Sequence, residues 1–109
     1  MGASRSLTDL LNAMDRLDET IHQKARLAIM SALAANTDVE FRFLKELLGL
    51  SDGNLAAHVG VLEARGYLVV TKEFVGRRPR TTYSLTDRGR IAFRQYLVNL
   101  ESVVRGASD

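Results

Sequence analysis

The chain contains no cysteine, which removes disulfides, thiolate metal sites and cysteine nucleophiles in one step. Only two histidines, His22 and His58, are available as imidazole ligands, so no dedicated transition-metal site is expected, and no other cofactor is expected either. No apolar run approaches the roughly 20 residues of a membrane span. The N-terminal region mixes Asp9, Asp15 and Arg16 with its leucines and does not read as a signal peptide. The opening Met1–Ser6 fits the loose N-myristoylation pattern, although a plain disordered start is the preferred reading. A cytoplasmic protein without a membrane partner is therefore expected. Catalytic motifs are missing too. The glycines match neither GxGxxG nor a P-loop, HExxH does not occur, and no nucleophile with its base stands out. An enzyme is not expected, and no catalytic residue is assigned.

What is present is one domain's worth of chain. Its 109 residues, 46% hydrophobic and 26% charged, suit an ordinary globular protein with a single core. Net charge is only +2, but its distribution is lopsided. Residues 1–64 carry six Lys/Arg against nine Asp/Glu, whereas residues 65–94 carry eight Lys/Arg against Glu73 and Asp87 alone. A positive field concentrated in one segment suits a polyanionic partner.

Leu7, Leu10, Leu11, Met14, Leu17 and Ile21 recur at helical spacing, predicting a helix over about 6–17 with one apolar stripe. A second helix is expected over 20–35, ending at Asn36. The extended stretch Val39-Glu40-Phe41 leads into a third over 42–48, closed by Gly49 as a residue of positive φ. Ser51 is a strong N-cap for a fourth, over 51–64, with Asp52 in its first turn and Leu50 and Leu55 placed as a hydrophobic staple. The β-branched and aromatic run 67–75 reads as a strand, 76–80 as a turn, 81–85 as the returning strand, and 87–104 as a last helix capped by Thr86. Two short helices joined by Gly49-Leu50-Ser51 form a helix-turn-helix, and a hairpin with a basic tip adds a wing. The fold class is α+β, mainly α: a winged helix-turn-helix core (20–85) with N-terminal (1–19) and C-terminal (86–109) helices.

On the fourth helix, Leu55, Val59 and Leu62 share one face, while Gly53, Ala57, Gly60 and Ala64 lie opposite. A merely solvated face would carry Lys or Glu. A Gly/Ala face suits a helix whose backbone must be approached closely, as in a major groove about 12 Å wide. Asn54 is positioned to pair with an adenine edge, Ala57 to touch a thymine methyl, and His58 to reach a base or phosphate. Ser51, Asp52 and Gly53 complete the candidate reading end. In the hairpin, Arg77, Arg78 and Arg80 crowd a tip stiffened by Pro79, with Thr81 adding a hydroxyl. Such a tip suits phosphate contacts or minor-groove entry.

Three stretches, Leu47 to Leu55, His58 through Gly66-Tyr67, and Gly76 to Thr86 with Gly89-Arg90, resemble small winged-helix transcriptional regulators of the MarR/ArsR-like type over about residues 25–100. The resemblance implies a homodimer on a roughly palindromic operator, with the fourth helix in the major groove and the wing alongside. Gly60 departs from the pattern, since such proteins often carry Lys or Arg there. The cysteine-bearing metal motif is absent, so metal sensing is not carried over.

The terminal helices are more apolar than one small core requires. Leu7, Leu10, Leu11 and Met14 in the first, and Phe93, Tyr96, Leu97, Leu100 and Val104 in the last, are candidate residues of a twofold interface. Expected partners are double-stranded DNA and a second copy of the chain, with room for a small-molecule effector that the sequence does not identify. The rival is a winged helix used for protein–protein contact without DNA. RNA is less favoured, because no aromatic stacking platform is visible.

Overall fold

The computed structural model describes residues 6–108, so the N-terminal pattern in residues 1–5 lies outside the described residues. The order is α1 (Leu7–Asp15), α2 (Lys24–Ala35), β1 (Val39–Glu40), α3 (Phe41–Leu48), α4 (Asp52–Ala64), β2 (Leu68–Val75), β3 (Arg78–Leu85) and α5 (Asp87–Ser108). The strands form one antiparallel sheet in the order β1-β3-β2. This is a winged helix of mainly helical α+β class.

Local chemistry sets the boundaries. The α3–α4 turn follows the sequence closely: Gly49 closes α3 at φ 63, and Ser51 Oγ accepts the Asn54 amide to cap α4. Helix α2 starts at Lys24, not at residue 20. The Asp18 carboxylate takes the amides of Thr20 at 2.9 Å and Ile21 at 3.2 Å, which holds that stretch in a turn. Gln23 then caps the helix through Oε1 to the Arg26 amide. The expected five-residue hairpin turn shrinks to two, Gly76-Arg77, because Val75 pairs with Arg78. Gly76 at φ 65 takes the first central position, where a two-residue hairpin needs positive φ. Pro79 thus sits within β3, beyond the end of β1, where that edge of the strand has no neighbour to leave unpaired. Helix α5 continues four residues past its expected end at Val104.

The core joins Leu17 and Ile21 of the α1–α2 connection, Ile29, Met30 and Leu33 of α2, Leu44 of α3, and Leu55, Val59 and Leu62 of α4. Tyr67, Leu68 and Tyr83 of the wing region and Phe93 and Tyr96 of α5 complete it. The molecule extends 65 × 26 × 21 Å with a radius of gyration of 16.8 Å, well above the ~13 Å of a compact domain of about this size.

The base of the wing and the start of α5 are locked together. Thr86 Oγ1 donates to the Gly66 carbonyl at 2.5 Å and accepts the Gly89 amide at 2.9 Å, while the Thr86 amide donates to the Tyr67 carbonyl at 3.1 Å. The Tyr67 hydroxyl donates to Asp18, tying the same junction to the α1–α2 connection. Burial, reinforced by that hydrogen bond, keeps the phenol protonated above its usual range. At Gly89 the packing leaves no room, since a Cβ would lie 1.9 Å from the Tyr67 carbonyl oxygen. Gly89→Ala is therefore expected to destabilise the fold by about 3 kcal/mol, read as a lowered denaturation midpoint. An unchanged midpoint would show that the junction yields easily.

Candidate nucleic-acid interface

Helix α4 presents the face its sequence implies. Leu55, Val59 and Leu62 are buried, while Gly53, Ala57, Gly60 and Ala64 are exposed on the opposite side. A Cβ built on Gly53 or Gly60 would meet nothing within 4 Å. No other part of the described chain plugs this flank, so its backbone is open to close approach.

The candidate reading residues divide into exposed and engaged groups. Asn54 and Ala57 are exposed on the helix surface. Ser51 Oγ is committed to the cap at 3.1 Å from the Asn54 amide. Asp52, a carboxylate unfavourable beside phosphates, is paired with Lys45 Nζ at 2.7 Å. With side chains 43% and 70% exposed, this pair adds little stability, but it neutralises the charge at the helix entrance. His58 is half-buried on the edge facing α2, and Arg26 Nη1 lies 3.2 Å from its Nδ1. Sequence reasoning missed this contact because its partners are 32 residues apart.

The wing departs from the expected three-arginine tip. Arg77 occupies the turn and Arg78 begins β3; both are exposed, and among the described residues neither has an ion pair. Arg80 turns back instead, its Nε 3.1 Å from Glu40 Oε1 on β1. That nitrogen is buried and not aligned for a hydrogen bond, so charge attraction alone holds it. The side chains along each strand alternate in direction. Arg80 shares its face with Glu73 and Arg78, and β1 runs alongside.

The other face of the wing borders α4. A cleft of about 430 Å³ runs between them, lined on the helix side by Ala56, Val59, Gly60 and Glu63, and on the wing side by Val70, Lys72, Thr81 and Tyr83. Thr81, expected from sequence, belongs to this cleft. Lys72, its direct cross-strand partner, does not figure among the sequence candidates. Strand alternation from the buried Leu68 was the signal that would have found it. Glu63 is the acidic group of the cleft; burial, and after it the Glu63 charge, raises the Tyr83 phenol above its usual range.

Of the candidate interface residues on the terminal helices, Phe93 and Tyr96 are corrections: they lie in the chain's own core, Tyr96 fully buried with its hydroxyl 2.8 Å from His22 Nδ1. They face inward because α5 must cover α1 and α2 before it can cover anything else. Leu10 and Leu100 are half-buried. Leu7 (78% exposed), Leu11, Met14, Leu97 and Val104 remain on the surface, and Ile91 and Val98 of α5 join them.

Known proteins share this architecture. A family model described as a winged helix DNA-binding domain matches residues 25–104. The uncharacterized protein MJ0432 of Methanocaldococcus jannaschii is 36% identical over 75 residues, 69% of this chain and 82% of that protein. The structure of a transcriptional regulator homologue from Pyrococcus horikoshii OT3 superposes with a TM-score of 0.80 at 30% identity, covering 93% of this chain and 98% of the other. A structure from Bacillus cereus ATCC 10987, described as a MarR-like transcription regulator, superposes with a TM-score of 0.66 at 19% identity, covering 94% and 77%.

The open flank carries its own test. A helix-interior glycine is about 0.5–1 kcal/mol less favourable than alanine, and nothing near Gly60 resists a methyl group. Gly60→Ala is expected to raise stability by that amount in a denaturant titration. A loss of stability would mean that the flank is occupied.

Proposed function

The chain belongs to the winged-helix DNA-binding domain family and is a MarR-like transcriptional regulator in fold, and we propose that it binds double-stranded DNA as a homodimer with α4 in the major groove. The observation that carries this reading is the uncovered Gly/Ala flank of α4 beside a cleft whose far wall bears Lys72 and Thr81. A helix of 10–12 Å diameter fits a groove about 12 Å wide, and small outward side chains let its backbone seat more deeply there. With α4 so placed, one sugar-phosphate strand runs along the cleft. Lys72 and the Thr81 hydroxyl are then its cation and donor, and Arg77 and Arg78 extend over the adjoining phosphates or minor groove. Asn54 and Ala57 are the side chains offered to base edges; Arg80, Asp52 and Ser51 have structural partners and support them.

The second copy is assigned to α1 and α5. Leu7, Leu11 and Met14 repeat at helical spacing on the outside of α1, and Leu97 and Val104 on α5. These side chains are exposed and take no part in the core, and a twofold contact of the same surface with itself would cover them. Such a dimer presents its two α4 helices to half-sites about one turn of duplex apart.

Binding to an unrelated duplex should weaken steeply as salt rises. Arg78→Ala should reduce affinity for all sequences alike and flatten the slope of log K against log salt by about 0.9. Asn54→Ala should instead change the sequence recovered from a random duplex pool, with about 1–3 kcal/mol lost at one base pair. Salt-insensitive or absent binding would favour a protein partner instead. For the dimer, Leu97→Glu is expected to halve the mass measured by sedimentation. A wild-type chain already monomeric at micromolar concentration would refute the assignment.

A further inference from the structure

The proposed cleft accounts for one strand of the duplex, but a helix in the major groove lies between two. Its opposite edge faces α2, and there the structure brings two nitrogen-rich side chains together. Arg26, in the first turn of α2, is half-buried and held by its Nε to the Thr20 carbonyl at 2.6 Å, while its Nη1 lies 3.2 Å from His58 Nδ1 on α4. A guanidinium has no acceptor. His58 Nδ1 must therefore accept, which fixes the neutral tautomer with its proton on Nε2.

We propose that Arg26 and His58 form a second phosphate seat, on the strand of the duplex opposite the wing; the proposal rests on the DNA-binding reading above. Two of the five guanidinium N–H groups are used internally, and among the described residues no carboxylate pairs with the other three. Of the two acids preceding Thr20, Asp18 is committed to the Thr20 and Ile21 amides and the Tyr67 hydroxyl, and Glu19 is exposed and in no ion pair among the described residues. A part-buried arginine used only as a brace would be expected to meet a carboxylate, because desolvating a cation is unfavourable without a counter-charge. Here it meets a neutral imidazole that can itself only donate through its other nitrogen. The pair thus offers fixed N–H donors and one positive charge with no internal anion, which is the chemistry of an oxyanion seat. Position makes that oxyanion a backbone phosphate. His58 follows Asn54 by one turn, on the edge of α4 away from the cleft that Lys72 lines. Contacts on both edges fix the rotation of α4 in the groove, which a wing on one side cannot do alone. Arg26 lies outside the basic segment noticed in the sequence, and no local pattern marks it.

The test is the salt dependence of binding to a random-sequence duplex by wild type, Arg26→Gln and Arg26→Lys, with thermal unfolding measured alongside. Arg26→Gln is expected to lower affinity roughly tenfold, the effect of one charge-assisted hydrogen bond, and to flatten the slope of log K against log salt by about 0.9. Arg26→Lys should keep the wild-type slope. An unchanged slope in Arg26→Gln, with wild type binding steeply, overturns this seat and leaves the wing reading intact. Absence of wild-type binding overturns both. If Arg26→Gln does not fold, Arg26→Lys decides. Acetyl-lysine at position 26 then removes the charge from that variant: a slope flattened by about 0.9 supports the seat, while an unchanged slope, or a lysine variant that does not fold, assigns Arg26 to bracing.

Discussion

The packing of α5 on the Tyr67 carbonyl is the constraint from which the rest of the geometry follows. Gly89 permits an approach that no other residue allows, and Thr86 spans the gap to Gly66 with one hydroxyl that both donates and accepts. Because Gly66 ends α4 and Tyr67 leads into β2, this single junction sets the direction of the wing relative to α4 and the direction in which α5 leaves the core. The Tyr67 hydroxyl extends the junction to Asp18, which also organises the turn before α2. A polar cluster of this kind fixes orientation more than it adds stability, since hydrogen bonds exchanged with water contribute only about 1 kcal/mol each.

The functional surface is arranged by removing material as much as by adding it. Gly60 weakens α4 by about 0.5–1 kcal/mol relative to alanine, and Gly53 in the first turn by less, although the space around them is open. Stability alone gives no reason to keep them, whereas close approach of a duplex does. Charges are managed in the same way. Asp52 is neutralised by Lys45 and Arg80 by Glu40, whereas Arg77, Arg78, Lys72 and Arg26, the cations of the proposed interface, are in no ion pair among the described residues. Electrostatic complementarity of this kind draws in a polyanion and orients it, while the small residues of α4 set how deeply it seats.

Much of the fold was legible because its signals are local. Gly49 and Ser51 bracket the helix-turn-helix through conformational and capping preferences that depend only on neighbouring residues, and the 3.6-residue spacing of Leu55, Val59 and Leu62 named the buried side of α4. The misplaced boundaries arose where a side chain competed with periodicity. Asp18 captured the amides that would have begun α2, and Gly76 closed the hairpin in two residues and drew Arg78 and Pro79 into the strand.

The sequence by itself determined the element order, the bare face of α4 and the basic wing, since each rests on periodicity or on the conformational preference of one or two adjacent residues. Only the tertiary structure decided which charges remain available and which apolar residues are spent inside. Arg80 met Glu40, Arg26 met His58, and Phe93 and Tyr96 turned into the core. Those outcomes depend on segments tens of residues apart being brought to within a few ångströms. Chain order does not encode such distances locally; they emerge from packing the helices and sheet around one core.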